Sequence, residues 1–281
     1  MPLPFLAIPQ QVHAEEGYVD LGDVRLWHWD TGGSGDVVLL CHPASQSCRI
    51  WLYQQPVLAA AGYRVIAYSR RGVYRSQPGP HDRPGTAVDD MARLLDHLDV
   101  ERAHLVGAAA GGISALGFAV AHEQRAASLT LAGTIFSPDE DEWRQMYANL
   151  GLAAVRGVVS TEFLELGPSY RATNPEGTRR FLELEHQAKA GGPAIQQPVG
   201  ARVDWANLAV MRVPTLLVTG EADLYAPPPL QALVARRMAL QKSHTLRQVG
   251  HAPYWEVPDE FNRLVLEFLE HSHATARDES T

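Results

Sequence analysis

The 281-residue chain is 46% hydrophobic and carries a formal charge of -8, enough for one large α/β domain or a core domain with an insertion. The negative balance argues against a nucleic-acid or anionic-membrane partner, since either needs clustered basic surface. No apolar run approaches a bilayer span, and "MPLPFLAIPQ" lacks a charged region followed by a long apolar one, so the expected location is the cytoplasm.

In chain order, "YVDLGDVRLWHWD" (18–30) predicts two strands joined by a turn at Gly22-Asp23, with a second turn at "TGGSGD". "VVLLC" (37–41) is a continuous apolar run, the pattern of a strand covered on both faces. "RIWLYQQPVLAAAG" predicts a helix ended by Gly62, "YRVIAY" the next buried strand, and "TAVDDMARLLDHLDV" an amphipathic helix. "AHLVG" reads as a strand, followed by a helix to about residue 121 and by "SLTLAGTI" as another strand. From 137 to 210 the text turns helical and polar, which predicts a helical cap inserted into a core made of 1–136 and 211–281. The sheet resumes with "TLLVTG" (215–220), a helix near 229–239, "HTLRQVG" (244–250) as a strand and "PDEFNRLVLEFLEHS" as a closing helix. The tail "HSHATARDEST" reads as frayed. Strand–helix alternation of this kind implies an α/β fold with a mostly parallel, doubly covered sheet. Cys41 and Cys48 read as buried thiols at a strand end and a helix start, with a disulfide as the alternative.

"GAAAG" (107–111) lies between the "AHLVG" strand and the following helix. Gly-x-nucleophile-x-Gly at such a junction is a nucleophile elbow, a strained turn that exposes the central side chain. The central residue here is Ala109, which cannot attack anything. Two further strand ends supply what a nucleophile needs. Asp223 follows "LLVTG" by three residues, and His251 directly follows "LRQVG". In acyl transfer the histidine moves the proton while the aspartate fixes its tautomer. The order nucleophile, acid, base is that of α/β-hydrolases. The N–H of Ala110, next after the nucleophile position, is the expected oxyanion donor.

With these motifs in place, "HPAS", "YSRRGVYRS", "VGAAAGG", "TGEADLYAPP" and "GHAPYWEVPDEFNRLVLEFL" together resemble the α/β-hydrolase superfamily over essentially the whole chain. The likeness is nearest to capped esterases, lactonases and C–C bond hydrolases. It implies Ala44, in the loop after "VVLLC", as the second oxyanion donor, and His42 as a brace of that loop. The twelve histidines are scattered, so no metal site is expected, and "GAAAGG" lacks the Lys of a phosphate loop and a later acidic ribose partner, so no cofactor is expected. Two positions depart from the pattern: Ser69 replaces an aspartate, and Ala109 replaces the nucleophile.

Three explanations of the alanine compete. It is an engineered replacement of a serine that leaves the rest of the machinery in place to trap substrate, and this is the reading adopted. Alternatively the lost residue was an aspartate or cysteine. Or the alanine is natural, and the protein is a non-catalytic ligand-binding protein or uses His251 directly as a base. Ser114 lies too far into the helix to substitute.

The expected function is hydrolysis of an ester or lactone through an acyl-enzyme, with C–C cleavage of an aromatic ring-cleavage product as the alternative. The expected partner is a small carbonyl substrate, aromatic in one version, and a homodimer is compatible with the chain. Ser45, Tyr147 and Tyr225 are the candidate substrate contacts. Among the insertion's Arg156, Arg171, Arg179 and Arg180, one could hold a substrate carboxylate.

Overall fold

The computed structural model describes residues 6–136, 138–155, 157–189 and 195–278. Eight strands run as β1 (Glu15–Asp20), β2 (Arg25–Asp30), β3 (Val37–Cys41), β4 (Arg64–Tyr68), β5 (Ala103–Ala108), β6 (Ala126–Ala132), β7 (Thr215–Gly220) and β8 (Gln241–Leu246). They form one sheet in the order β1-β2-β4-β3-β5-β6-β7-β8. β1 and β2 pair antiparallel, as do β2 and β4, while β3 through β8 run parallel with β4.

The continuous apolar run of β3 shows how the sheet is buried. Val37, Leu39 and Cys41 point into one core layer, and Val38 and Leu40 into the other. Each such side chain contributes about 1.5–3 kcal/mol on burial. Helices cover both faces, as parallel strands require. The first face takes α2 (Ala87–His97), α3 (Ala110–Ala121) and α10 (Pro228–Ala235). The second takes α1 (Gln55–Ala60), α11 (Pro253–Glu256) and α12 (Pro258–Asp278).

Between β6 and β7 lie α4 (Asp141–Ala148), α5 (Leu152–Val155), α6 (Thr161–Glu165), α7 (Pro168–Thr173), α8 (Pro175–Ala188) and α9 (Trp205–Val210). Trp143 of α4 and Leu208 of α9 join the first core layer, whereas Tyr170, Phe181 and Leu184 join the second. The segment is thus packed on both sides of the sheet.

Three boundaries differ from the sequence reading. The helix ending at Gly62 is confined to α1, after a single tight helical turn at Cys48–Ile50. β8 runs from Gln241 to Leu246 instead of 244 to 250, because as an exposed edge strand it carries no apolar run, so His251 follows the strand after a four-residue turn. α12 continues to Asp278, so the segment expected to fray is largely helical. Cys41 and Cys48 are both free and buried, with burial pushing each thiol up to about 12.

Candidate active site

Ala109 stands between β5 and α3 with φ 48° and ψ -116°. That lies outside the regions an L-residue adopts at ease, a strain of about 1–3 kcal/mol. Packing enforces it. A Cβ on Gly111 would lie 2.1 Å from the Cys41 carbonyl oxygen, and one on Gly107 would lie 2.6 Å from Gly112 Cα. Only glycine lets the turn press so close to β3 and to the start of α3. The Ala109 N–H donates to Ala132 O at 2.9 Å, fixing the turn to the end of β6.

The residue just past that strand, Gly133, leads to the acid and the base. A Cβ there would come within 3.1 Å of His251 Nδ1 and 3.3 Å of Asp223 Oδ2. His251 Nδ1 lies 2.9 Å from both carboxylate oxygens of Asp223. The N–H groups of Tyr225 and Ala226 donate to Asp223 Oδ1 at 2.8 and 2.9 Å, which holds the carboxylate in place. Both residues are buried, at 4% and 3% exposure. Burial opposes charge on His251, but the Asp223 carboxylate outweighs it and holds the imidazole above its ordinary pKa. With Nδ1–H given to Asp223, Nε2 is the nitrogen left to act as a base.

The loop after β3 is braced by His42, fully buried, whose ring Nδ1 donates to Pro43 O at 2.7 Å. Its Nε2 accepts from Arg70 N at 3.0 Å, and burial holds it neutral. Ala44 and Ala110 line one cavity of about 410 Å³, together with Arg70, Val73, Ile113 and Val199 among others. Ser114 also faces it, but its hydroxyl turns back to Ala110 O at 3.4 Å.

The other candidates divide. Tyr225 packs its ring on His251 at 4.6 Å between centroids. The Ser45 hydroxyl donates to Glu165 Oε2 at 2.7 Å. Tyr147 stacks on Trp143 at 4.7 Å and is not among the residues lining the cavity beside the elbow. Arg171 lies over the Phe163 ring and donates to Leu166 O, while Arg179 and Arg180 pair with Glu183. Arg156 falls outside the described residues.

Sequence reasoning missed two carboxylates. Glu165, 8% exposed, accepts from Ser45, and its backbone carbonyl accepts from His251 N at 2.9 Å. Burial raises its pKa. Glu256, 1% exposed, accepts from Gly250 N and Gly167 N at 3.0 Å, tying the histidine loop to the segment between β6 and β7. Its position five residues after His251 was visible in the sequence; its partners were not.

The family model described as "Alpha/beta hydrolase family" matches residues 38–264. The chain belongs to the α/β-hydrolase family. A 2-hydroxy-6-oxononadienedioate/2-hydroxy-6-oxononatrienedioate hydrolase of Paraburkholderia xenovorans (strain LB400) is 29% identical to this α/β-hydrolase over 271 residues, covering 89% of this chain and 92% of that protein. A 2-hydroxy-6-oxo-6-phenylhexa-2,4-dienoate hydrolase of Comamonas testosteroni is 28% identical over 275 residues, covering 89% and 93%. Among solved structures, a thermophilic esterase from Thermogutta terrifontis, with malate bound, superposes with a TM-score of 0.74 at 26% identity. That match covers 92% of this chain and 100% of the esterase. Among the described residues of this α/β-hydrolase, no group of three or more His, Cys, Asp and Glu could hold a metal ion. No helix among them is long and apolar enough to cross a membrane.

Proposed function

We propose that the site is that of a hydrolase of small carbonyl compounds, acting on an ester or lactone through an acyl-enzyme, with Ala109 standing where the reaction requires a serine hydroxyl. The observation that carries this reading is the backbone of Ala109. An alanine gains nothing from φ 48° and ψ -116°, whereas a nucleophile does, because the strained turn presents it to solvent and to the base. Asp223 orients His251, and His251 Nε2 would take the hydroxyl proton and return it to the leaving oxygen. The N–H groups of Ala44 and Ala110 would stabilise the negative oxygen of the tetrahedral intermediate. The helical segment 137–210 serves as the cap over this site, and the protein works in the cytoplasm without a cofactor.

The alanine is read as the replacement of a serine, since the glycines, the acid and the base around it are all retained. The test is Ala109→Ser, assayed with p-nitrophenyl acetate and simple lactones. The reading expects a gain of at least about 10²-fold in turnover over the unsubstituted chain. No gain across a broad ester panel overturns it.

The similarity to two C–C bond hydrolases favours a second reading. In it, water deprotonated by His251 adds to a ketone carbon. The C–C bond then breaks, its electron pair passing to the departing carbon, which is protonated as the ketone becomes a carboxylic acid. This route needs no side-chain nucleophile. It predicts that the unsubstituted chain consumes a 2-hydroxy-6-oxo-dienoate, followed by loss of the dienol absorbance, and that Ala109→Ser is not required.

A further inference from the structure

Arg70 is a cation without a counter-charge. Three other arginines in or near the interior close on aspartates: Arg64 on Asp30, Arg71 on Asp23 and Asp90, Arg125 on Asp96; half-buried Arg49 and Arg171 instead donate to Gln187 and to Leu166 O. Arg70 forms no ion pair among the described residues. It donates from Nη2 to Pro43 O at 3.2 Å, and its Nε is buried without a partner. The groups that face it electrostatically are Tyr68 and Cys41, both pushed upward by burial and so neutral at ordinary pH. A guanidinium stays protonated in such surroundings, so the charge remains. An unpaired charge on a half-buried wall is less favourable than one with a counter-ion in reach.

The place of this charge is informative. Arg70 lines the same cavity of about 410 Å³ as Ala44 and Ala110, beside apolar Val73, Ile113, Ile195 and Val199. That volume suits a small ligand. The neighbouring Arg71 also lines the cavity, but Asp90 and Asp23 neutralise it, and Gln197 donates to Asp90 as well. The net field that the wall presents is therefore that of Arg70. Its position is held from behind, since its own N–H donates to buried His42 Nε2 at 3.0 Å. The cavity is thus lined both by Ala44 and Ala110, the expected oxyanion donors, and by an unpaired positive charge.

We propose that Arg70 is the binding residue for a substrate carboxylate, so that this hydrolase takes a carbonyl compound bearing a free acid group in the same cavity as the bond it acts on. The proposal rests on the hydrolytic reading for the role of Ala44 and Ala110, and it moves the carboxylate contact from the arginines of 137–210 to the loop after β4. A carboxylate there supplies the counter-charge that Arg70 lacks and gains a charge-assisted hydrogen bond.

The test is binding to the unsubstituted chain, which holds ligand without turnover under the hydrolytic reading. The probes are 5-oxohexanoate and its methyl ester, titrated calorimetrically at fixed ionic strength. The acid should bind at least about tenfold more tightly than the ester, the ratio that one modest ion pair gives. Arg70→Gln should bring the two affinities together, and Arg70→Lys should keep part of the preference while showing that the fold tolerates substitution. Equal affinities in the unsubstituted chain, or a preference that survives in Arg70→Gln, overturns the assignment. The two readings fail separately. Ester turnover by Ala109→Ser without any acid preference sinks the Arg70 assignment alone. Acid preference lost in Arg70→Gln, with no turnover by Ala109→Ser, leaves the anion site and sinks the acyl-enzyme.

Discussion

Ala109 has a backbone that a nucleophile needs and a side chain that cannot serve as one. Its φ of 48° carries strain that a methyl group must bear, so Ala109→Gly should leave stability unchanged or raise it by about 1 kcal/mol, read from urea unfolding. A loss greater than 1 kcal/mol would mean that the conformation is unstrained. His251 allows a prediction in pH. Burial lowers its pKa, Asp223 raises it, and the sum lies above the ordinary value. A general base works only when neutral, so the turnover gained in Ala109→Ser should climb as pH rises through that raised value, with its midpoint above about 6.5. Asp223→Asn in the same background removes the raising charge. The remaining activity should fall by on the order of 10³–10⁴, with its midpoint moved to lower pH. A midpoint unmoved by Asp223→Asn would contradict the pairing.

At the scale of elements, the strands that position the site were readable and the contacts that pin them were not. β3, β5 and β7 announce themselves as short apolar runs because both faces are covered. β8 does not, since Gln241, Lys242, Ser243, His244 and Thr245 are exposed on an edge. The residues after strand ends could be named from their offset to a glycine, as with Asp223 after Gly220. Glu165 could not, because its partner Ser45 lies 120 residues away. Arg70 and Arg71 form a doublet in the sequence, and only the fold separates the paired arginine from the unpaired one. Glu256 joins elements most directly, taking N–H groups from Gly250 and Gly167. Glu256→Ala would leave those buried donors unsatisfied and should cost about 3 kcal/mol or more in unfolding free energy. A cost under 1 kcal/mol would show that the histidine loop does not depend on it.

At the scale of the whole molecule, the helices between β6 and β7 are laced to the loops of the sheet's carboxyl edge. Besides Ser45–Glu165 and Glu256–Gly167, Gln46 donates to Phe181 O, Arg49 to Gln187 and Trp255 to Gly177 O. In open α/β sheets ligands bind at this edge, and these bonds fasten the helices between β6 and β7 to it. Ser45→Ala cuts one fastening beside His251 and should speed hydrogen exchange of the amides in α6 and α7 while leaving β3 and β5 protected. Unchanged exchange in α6 would argue that these helices are held elsewhere.

The convergence of position 109, His251 and Asp223 is tested most directly by mass spectrometry of Ala109→Ser after treatment with diisopropyl fluorophosphate. The account predicts one phosphoryl adduct, located on the serine installed at 109, and its loss when His251→Ala is added. An unlabelled protein, or labelling that persists without His251, would contradict it.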